Sequence, residues 1–200
     1  MLQVKSLTFE YTDKLLFQNV NFEVKRGELL HLRGANGAGK TTLLRLLTGI
    51  LQPLGGTIYY ANQSIEANLP DYQRKLCYVG HKAALNPLLS IEENCRFDTH
   101  WRQQCNLDEL LTAFLPDVDL TLPCHHLSAG QQRRVALLRL AMTDASLWLL
   151  DEPFVALDSA SINGLSQLLQ QHLLKGGQII LTSHQELPAS LSIDREFTLS

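Results

Sequence analysis

The sequence predicts an α/β fold in one domain spanning 1–200, with a mostly parallel sheet core, an antiparallel β edge and an inserted helical lobe. Three observations carry that expectation. Apolar runs such as Leu147–Leu150 and Ile179–Thr182 have the unbroken character of strands buried on both faces. Segments of helical period alternate with such runs, the order that yields a parallel sheet. A glycine-rich segment, GANGAGKT at Gly34–Thr41, joins a buried strand to a helix.

Apolar positions alternate from Leu2 to Tyr11 and from Asn21 to Val24, the period of half-buried strands. Arg26-Gly27-Glu28 then turns the chain into the buried strand Leu29–Arg33, so these segments make a sheet edge that leads into the glycine-rich loop. After Gly39, Leu43, Leu44, Leu46 and Leu47 recur at helical spacing until Gly49, Pro53, Gly55 and Gly56 end the element. Thr57–Tyr60 and Leu76–Val79 read as short strands. From Ser90 to about Met142 the pattern is mainly helical, broken at Pro116 and Pro123, and a helical subdomain is expected at about 86–142. Leu147–Leu150 is a buried strand, Ser159–Lys175 a helix closed by Gly176-Gly177, and Ile179–Thr182 a further buried strand.

Composition narrows the function classes. A formal charge of −3 over 200 residues gives no basic stripe, which disfavours nucleic-acid binding. No run approaches the roughly 18 apolar residues of a bilayer span, and the start MLQVKSLTFEY alternates like a strand rather than a targeting segment. The chain is expected to be cytosolic, docked on a membrane protein. Cys77, Cys95, Cys105 and Cys124 lack CxxC spacing and read as free thiols.

In Gly34–Thr41 the glycines Gly34, Gly37 and Gly39 let backbone N–H groups turn inward together with Asn36 and Ala38. The helix opening near Gly39 aims its positive end at the same place, so loop and helix favour a bound polyphosphate, ATP in this reading. Lys40 reaches the β and γ phosphates, the Thr41 hydroxyl joins the shell of a Mg²⁺ ion, and Thr42 extends the loop. Asp151 closes the strand Leu147–Leu150 at the carboxyl edge where open α/β sheets bind ligands, and reads as the Mg²⁺ carboxylate. Glu152 points differently and reads as the group that orients or deprotonates the attacking water. His184 ends the strand Ile179–Thr182 at that same edge; alone it is a capping or surface histidine, and beside a phosphate loop it is a γ-phosphate sensor.

At Leu127-Ser128-Ala129-Gly130-Gln131 the chain departs from a generic P-loop NTPase and resembles the nucleotide-binding subunit of ABC transporters over nearly its whole length. That resemblance implies an ABC-type domain with the helical lobe inserted in a RecA-like core, hydrolysing ATP to ADP and phosphate. It also implies a second copy in an ATP-sandwich dimer, with Ser128, Gly130 and Gln131 acting on the partner's nucleotide. Tyr11, 29 positions before Lys40, falls where the family carries the aromatic that stacks on adenine, although a sheet-edge tyrosine explains it too. His81 stands where most members have the Q-loop glutamine, Ala129 replaces a signature glycine, and Leu157-Asp158 resembles the D-loop.

Tyr78-Val79-Gly80-His81, the segment Leu127–Leu137 and Leu147–Phe154 resemble one branch, the ATP-binding subunits of haem exporters in cytochrome c biogenesis. The branch implies peripheral attachment at the cytoplasmic face of the bacterial inner membrane, on membrane subunits resembling CcmB, CcmC and CcmD. It implies that hydrolysis powers haem export or release of a haem-loaded chaperone. A docking groove for a membrane partner is expected near His81–Leu89.

Other readings stay open at this level. Another small-substrate or lipid exporter fits the same motifs; a DNA-repair ATPase fits poorly, since no heptad run separates the phosphate loop from the signature; a non-hydrolysing regulatory module leaves Glu152 and His184 without a task. Cys124-His125-His126 has the chemistry of a haem or metal ligand set, yet it sits in a connecting loop and no direct haem ligation is expected. His100, Trp101 and Cys105 read as packing or surface residues of the lobe, and Val135 with its neighbouring leucines as core.

Overall fold

The computed structural model describes residues 1–12, 14–97, 111, 114–116 and 118–199. His100, Trp101 and Cys105 lie outside the described residues. The strands are β1 (Leu2–Tyr11), β2 (Lys14–Val24), β3 (Leu29–Arg33), β4 (Gly55–Tyr60), β5 (Gln63–Ser64), β6 (Leu76–Val79), β7 (Leu147–Asp151), β8 (Gln178–Thr182) and β9 (Arg195–Thr198). The α-helices are α1 (Lys40–Leu47), α2 (Leu69–Gln73), α3 (Ile91–Phe97), α4 (Ala129–Met142) and α5 (Ser159–Leu174), with 3₁₀ turns at Ile65–Asn68 and Cys124–His126.

Five strands form a parallel sheet in the order β6-β7-β8-β3-β9. The antiparallel strands hydrogen-bond in a sheet of their own, β2-β1-β4-β5. Because side chains alternate across a strand, the parallel sheet serves two cores. Leu30, Leu32, Leu147, Leu149 and Ile180 pack with α1 and the inner face of the antiparallel sheet. Leu29, Trp148, Leu150, Ile179 and Leu181 pack on α4 and α5.

A third core joins Ile91, Cys95, Leu111, Leu115 and Cys124 to Val135, Leu138 and Met142. Helix α4 is therefore a shared wall: Ala136, Leu137 and Leu140 face the sheet, and Val135, Leu138 and Met142 face the lobe. The described residues from 118 to 128 are bends, turns and 3₁₀ rather than α-helix, with Pro123 preceding the 3₁₀ turn.

The sequence pattern did not show the first half of β2 or any of β9. Strand β2 pairs with β1 through register shifts, and Ser6 and Asn19 have φ of 50° and 55°. Each such irregularity switches the face on which the next side chain lands, which erases the alternation. Strand β9 is a four-residue edge strand, REFT, whose burial alternates without a run of apolar residues.

His172 on α5 stacks on Trp148 with centroids 3.7 Å apart and rings 8° from parallel. Burial pushes its pKa down to about 4 from an ordinary 6.5. The folded chain thus holds His172 neutral where the unfolded chain protonates it. Stability from this site is complete above pH 6.5 and is lost as pH falls from 6.5 towards 4. The thermal midpoint should drop over that window, and H172F should flatten the part of the drop that His172 causes.

Candidate active site

A cavity of about 370 Å³ opens at the carboxyl edge of the parallel sheet. Tyr11, Leu16, Asn36, Gly37, Gly39, Lys40, Thr41, Thr42, His81, Asp151, Glu152 and His184 line it. It draws on the end of β1, the start of β2, the loop before α1, and the ends of β6, β7 and β8.

Helix α1 is entered through its N-cap Gly39, whose φ of 101° is left-handed and inaccessible to most other residues without strain. No side chain caps this terminus, so the first N–H groups of α1 remain free for an anion in the cavity. Lys40, 8% exposed, donates from Nζ to Gly34 O at 2.8 Å and to Ala35 O at 3.1 Å. The ammonium is thereby fixed over the loop. Gly34 and Ala38 are not among the cavity-lining residues; Gly34 supplies that carbonyl, and Ala38 donates its N–H to Ala35 O at 3.2 Å within the loop.

Asp151 is buried between two threonines. Its Oδ2 accepts from Thr41 Oγ1 at 2.7 Å and its Oδ1 from Thr182 Oγ1 at 2.8 Å. The same Thr182 oxygen accepts the Glu152 N–H at 2.9 Å. Thr182 was legible only as the last residue of a strand; its place beside Asp151 follows from the β7–β8 register, which sets Asp151 opposite Thr182. Valine at 182 would strip partners from a buried carboxylate and a buried N–H, and T182V should lose about 3 kcal/mol of folding stability. Denaturant unfolding checks this, with T182S close to the unaltered chain.

Glu152 has φ of 54°, a left-handed conformation that costs a non-glycine residue of order 1–3 kcal/mol. Its Oε2 accepts the His184 N–H at 3.1 Å, and Oε1 lies 3.5 Å from His184 Nε2. Oε1 is buried and has no hydrogen-bond partner among the described residues, the condition of an acceptor waiting for a donor in the cavity. The His184 ring is half exposed. Arg133 on α4, 6% exposed, was not singled out from the sequence; it donates to the carbonyls of Gly80, Asp151, Glu152 and Pro153. Nothing in a run reading Gln132-Arg133-Arg134 tells which arginine turns inward.

Tyr11 stands at the cavity mouth, 46% exposed, with its ring edge-on to Phe9 at 4.8 Å. Ser128, Gly130 and Gln131 do not line the cavity. They open α4, where Ser128 Oγ accepts the Gln131 N–H at 3.2 Å and Gln131 Oε1 accepts the Ser128 N–H at 2.8 Å. That capping box occupies both side chains and sets the helix terminus firmly. A Cβ on Gly130 would sit 2.7 Å from Ala156 O, so glycine is needed here for a contact within the chain.

Cys124 is buried, accepts from Asn94 Nδ2 at 3.3 Å, and burial pushes its thiol pKa up. His125 Nδ1 lies 2.8 Å from Pro87 O. Among the described residues no cluster of three His, Cys, Asp or Glu side chains is placed to hold a metal. Instead the segment pins the turn at 86–90: Cys124 N donates to Leu89 O at 2.9 Å and His125 N to Pro87 O at 3.0 Å, while Asn94 reaches Asn86, Leu89 and Ser90. The turn projects Leu88, 76% exposed.

Comparison with known proteins joins this geometry to a family. A family model described as ABC transporter matches residues 17–155. The cytochrome c biogenesis ATP-binding export protein CcmA of Legionella pneumophila (strain Lens) is 48% identical over 200 residues, the whole of both chains. The protein of the same name from Histophilus somni (strain 129Pt) is 42% identical, covering 94% of this chain and 89% of its own. Among solved structures, a dimeric post-hydrolysis state of the ATP-binding cassette MJ0796 bound to ADP and Pi superposes with a TM-score of 0.80 at 27% identity, covering 92% of this chain and 88% of that one.

Proposed function

This chain belongs to the ABC transporter family as an ATP-hydrolysing subunit, and from that premise we propose that it powers an export complex of cytochrome c biogenesis at the bacterial inner membrane. Hydrolysis drives haem export or the release of a haem-loaded chaperone. The observation that carries this reading is the full-length identity to CcmA proteins, with the phosphate loop, Asp151, Glu152 and His184 gathered on one cavity.

The chain binds ATP with its polyphosphate on the Gly34–Thr41 loop and the free N–H groups of α1. Lys40 exchanges its loop carbonyls for phosphate oxygens, and Tyr11 takes the adenine. The residues present fit a Mg²⁺ ion, because Thr41 Oγ1 and Asp151 Oδ2 set two hard oxygen donors 2.7 Å apart beside the loop. When bound, that ion neutralises charge on the β and γ phosphates. Glu152 Oε1, with no hydrogen-bond donor among the described residues, accepts a proton of the attacking water. The water oxygen bonds to the γ phosphorus as the bond to the β-γ bridging oxygen breaks, giving ADP and phosphate. His184 reads the γ-phosphate, and His81 faces the same space.

Two copies close on two nucleotides, each presenting Ser128, Gly130 and Gln131 to the other. Helix α4 suits that task, since its dipole puts partial positive charge at the terminus that Ser128, Gly130 and Gln131 open. The lobe at about 86–142 and the exposed Leu88 on its pinned turn receive membrane subunits resembling CcmB, CcmC and CcmD. No helix among the described residues is long and apolar enough to cross a membrane, which suits a peripheral subunit.

The test is a haem-stained gel of c-type cytochromes from host cells whose only copy carries E152Q at normal expression, with b-type haem as control. Loss of the c-type bands with b-type haem intact is expected. Unchanged bands would leave an ABC ATPase serving another cargo.

A further inference from the structure

We propose that Arg133 is a positioning residue for hydrolysis, fixing the backbone of Glu152 and of Gly80 beside His81 and linking both to the helix that presents the signature. The inference rests on the reading of this chain as an ATPase that works as a dimer. Arg133 touches none of the reacting atoms and acts through the groups it holds.

Its burial has no packing motive. Val135, Ala136 and Leu137 show that this part of α4 is filled by apolar side chains, and an apolar residue of similar volume at 133 would avoid the desolvation of a guanidinium. The charge is spent on main-chain carbonyls. One terminal nitrogen donates to Gly80 O at 2.7 Å; the other donates to Asp151 O and to Glu152 O, each at 2.8 Å; Nε reaches Pro153 O at 3.4 Å. Those carbonyls belong to the chain just past β6 and to the end of β7, next to three residues that line the cavity. A planar fork of fixed geometry holds such acceptors in one relative arrangement, which a flexible point donor does not.

Glu152 is where that arrangement matters most. Its left-handed backbone persists only if the surroundings over-determine it. Thr182 holds the N–H and Arg133 holds the C=O. Without Arg133 the Glu152 carbonyl keeps the Val155 N–H at 3.3 Å but loses its shorter partner, so the peptide after Glu152 is held more loosely and the carboxylate loses its aim at the cavity and His184.

Arg133 also lies on the second turn of the helix capped by Ser128 and Gln131. A shift of that terminus when it meets the partner's nucleotide is carried by Arg133 to Glu152 and Gly80 of its own chain. The two sites of the dimer are thereby coupled through a side chain that belongs to neither.

The experiment compares R133M and R133K with the unaltered full chain in ATP affinity, turnover and thermal midpoint. R133M should keep ATP affinity within about threefold and lose turnover about 100-fold, the scale of an ångström-level misplacement. R133K, with its charge kept and its fork lost, should recover part of the turnover. Turnover of R133M equal to that of the unaltered chain overturns the proposal. So does a loss of affinity that matches the loss of turnover, with R133K no better than R133M. If R133M fails to fold, R133K decides alone: lowered turnover at unchanged affinity supports the proposal, and unchanged turnover overturns it. An unaltered chain that binds ATP without any turnover removes the parent reading and this one together, whereas an active parent beside an unaffected R133K removes this one only.

Discussion

K40A is expected to bind ATP about 100-fold more weakly than the unaltered chain in an equilibrium titration with a fluorescent ATP analogue. The figure follows from the environment of Lys40. Its ammonium is nearly buried and already sits over the loop on two backbone carbonyls, so in the proposed complex it would meet phosphate where water competes poorly. A charge-assisted hydrogen bond in such a place contributes about 1.5–3 kcal/mol, and the upper part of that range is a hundredfold in affinity. The loop also loses the group that ties Gly34 and Ala35 together, which loosens the amides meant for the nucleotide. K40R should not restore binding, since a planar fork does not fit a seat shaped for a point donor. An unchanged affinity in K40A would remove Lys40 from the phosphate site.

E152Q should lower turnover about 1000-fold while ATP affinity stays within a few-fold of the unaltered chain. Glutamine matches the shape, and its amide oxygen still accepts the His184 N–H that Oε2 accepts now. The backbone at 152 is held by Thr182 and Arg133, neither of which depends on the carboxylate. What disappears is the proposed proton acceptor at Oε1. The split between a lost rate and a retained affinity is the measurement that counts, made by phosphate release alongside nucleotide titration. Equal losses in both would mean that Glu152 serves binding instead of proton transfer.

Much of this was legible because the chemistry demands residue types that sequence displays. The parallel strands β3, β6, β7 and β8 are short apolar runs bounded by polar turns, and each appears in the text of the chain within a residue or two of its observed limits. Lys40-Thr41, His81, Asp151-Glu152 and His184 come from four separate segments at or past the ends of β3, β6, β7 and β8, and they line one cavity. Thr182 and Arg133 were not legible as site residues. A threonine gains its importance from standing across from Asp151 in the register, and an arginine from turning inward among carbonyls; both facts need the strand order and the helix rotation, which no local pattern encodes. Gly130 was legible only as part of a signature, and its closeness to Ala156 O adds a reason internal to the chain. Strand β9 escaped notice because an edge strand of four residues needs no apolar face of its own.

The strand order has a consequence for how the chain is made. Strand β3 emerges early in synthesis, yet both of its neighbours, β8 and β9, come from the last quarter of the chain. Leu29 donates its N–H to the Asp194 carboxylate 165 residues further on. At about 5–20 residues per second a ribosome takes roughly ten to thirty seconds to cover that distance. Until β8 emerges Leu29-Leu30-His31-Leu32 has two unpaired edges, and Asp151, once made, lacks Thr182. Nucleotide stabilises only a chain that binds it, so ATP gives the nascent protein little protection until β8 has emerged. A chain broken off before residue 178 retains its phosphate loop while β3, which leads into it, has no strand partner, which makes it a substrate for chaperones and proteases and not a weak ATPase.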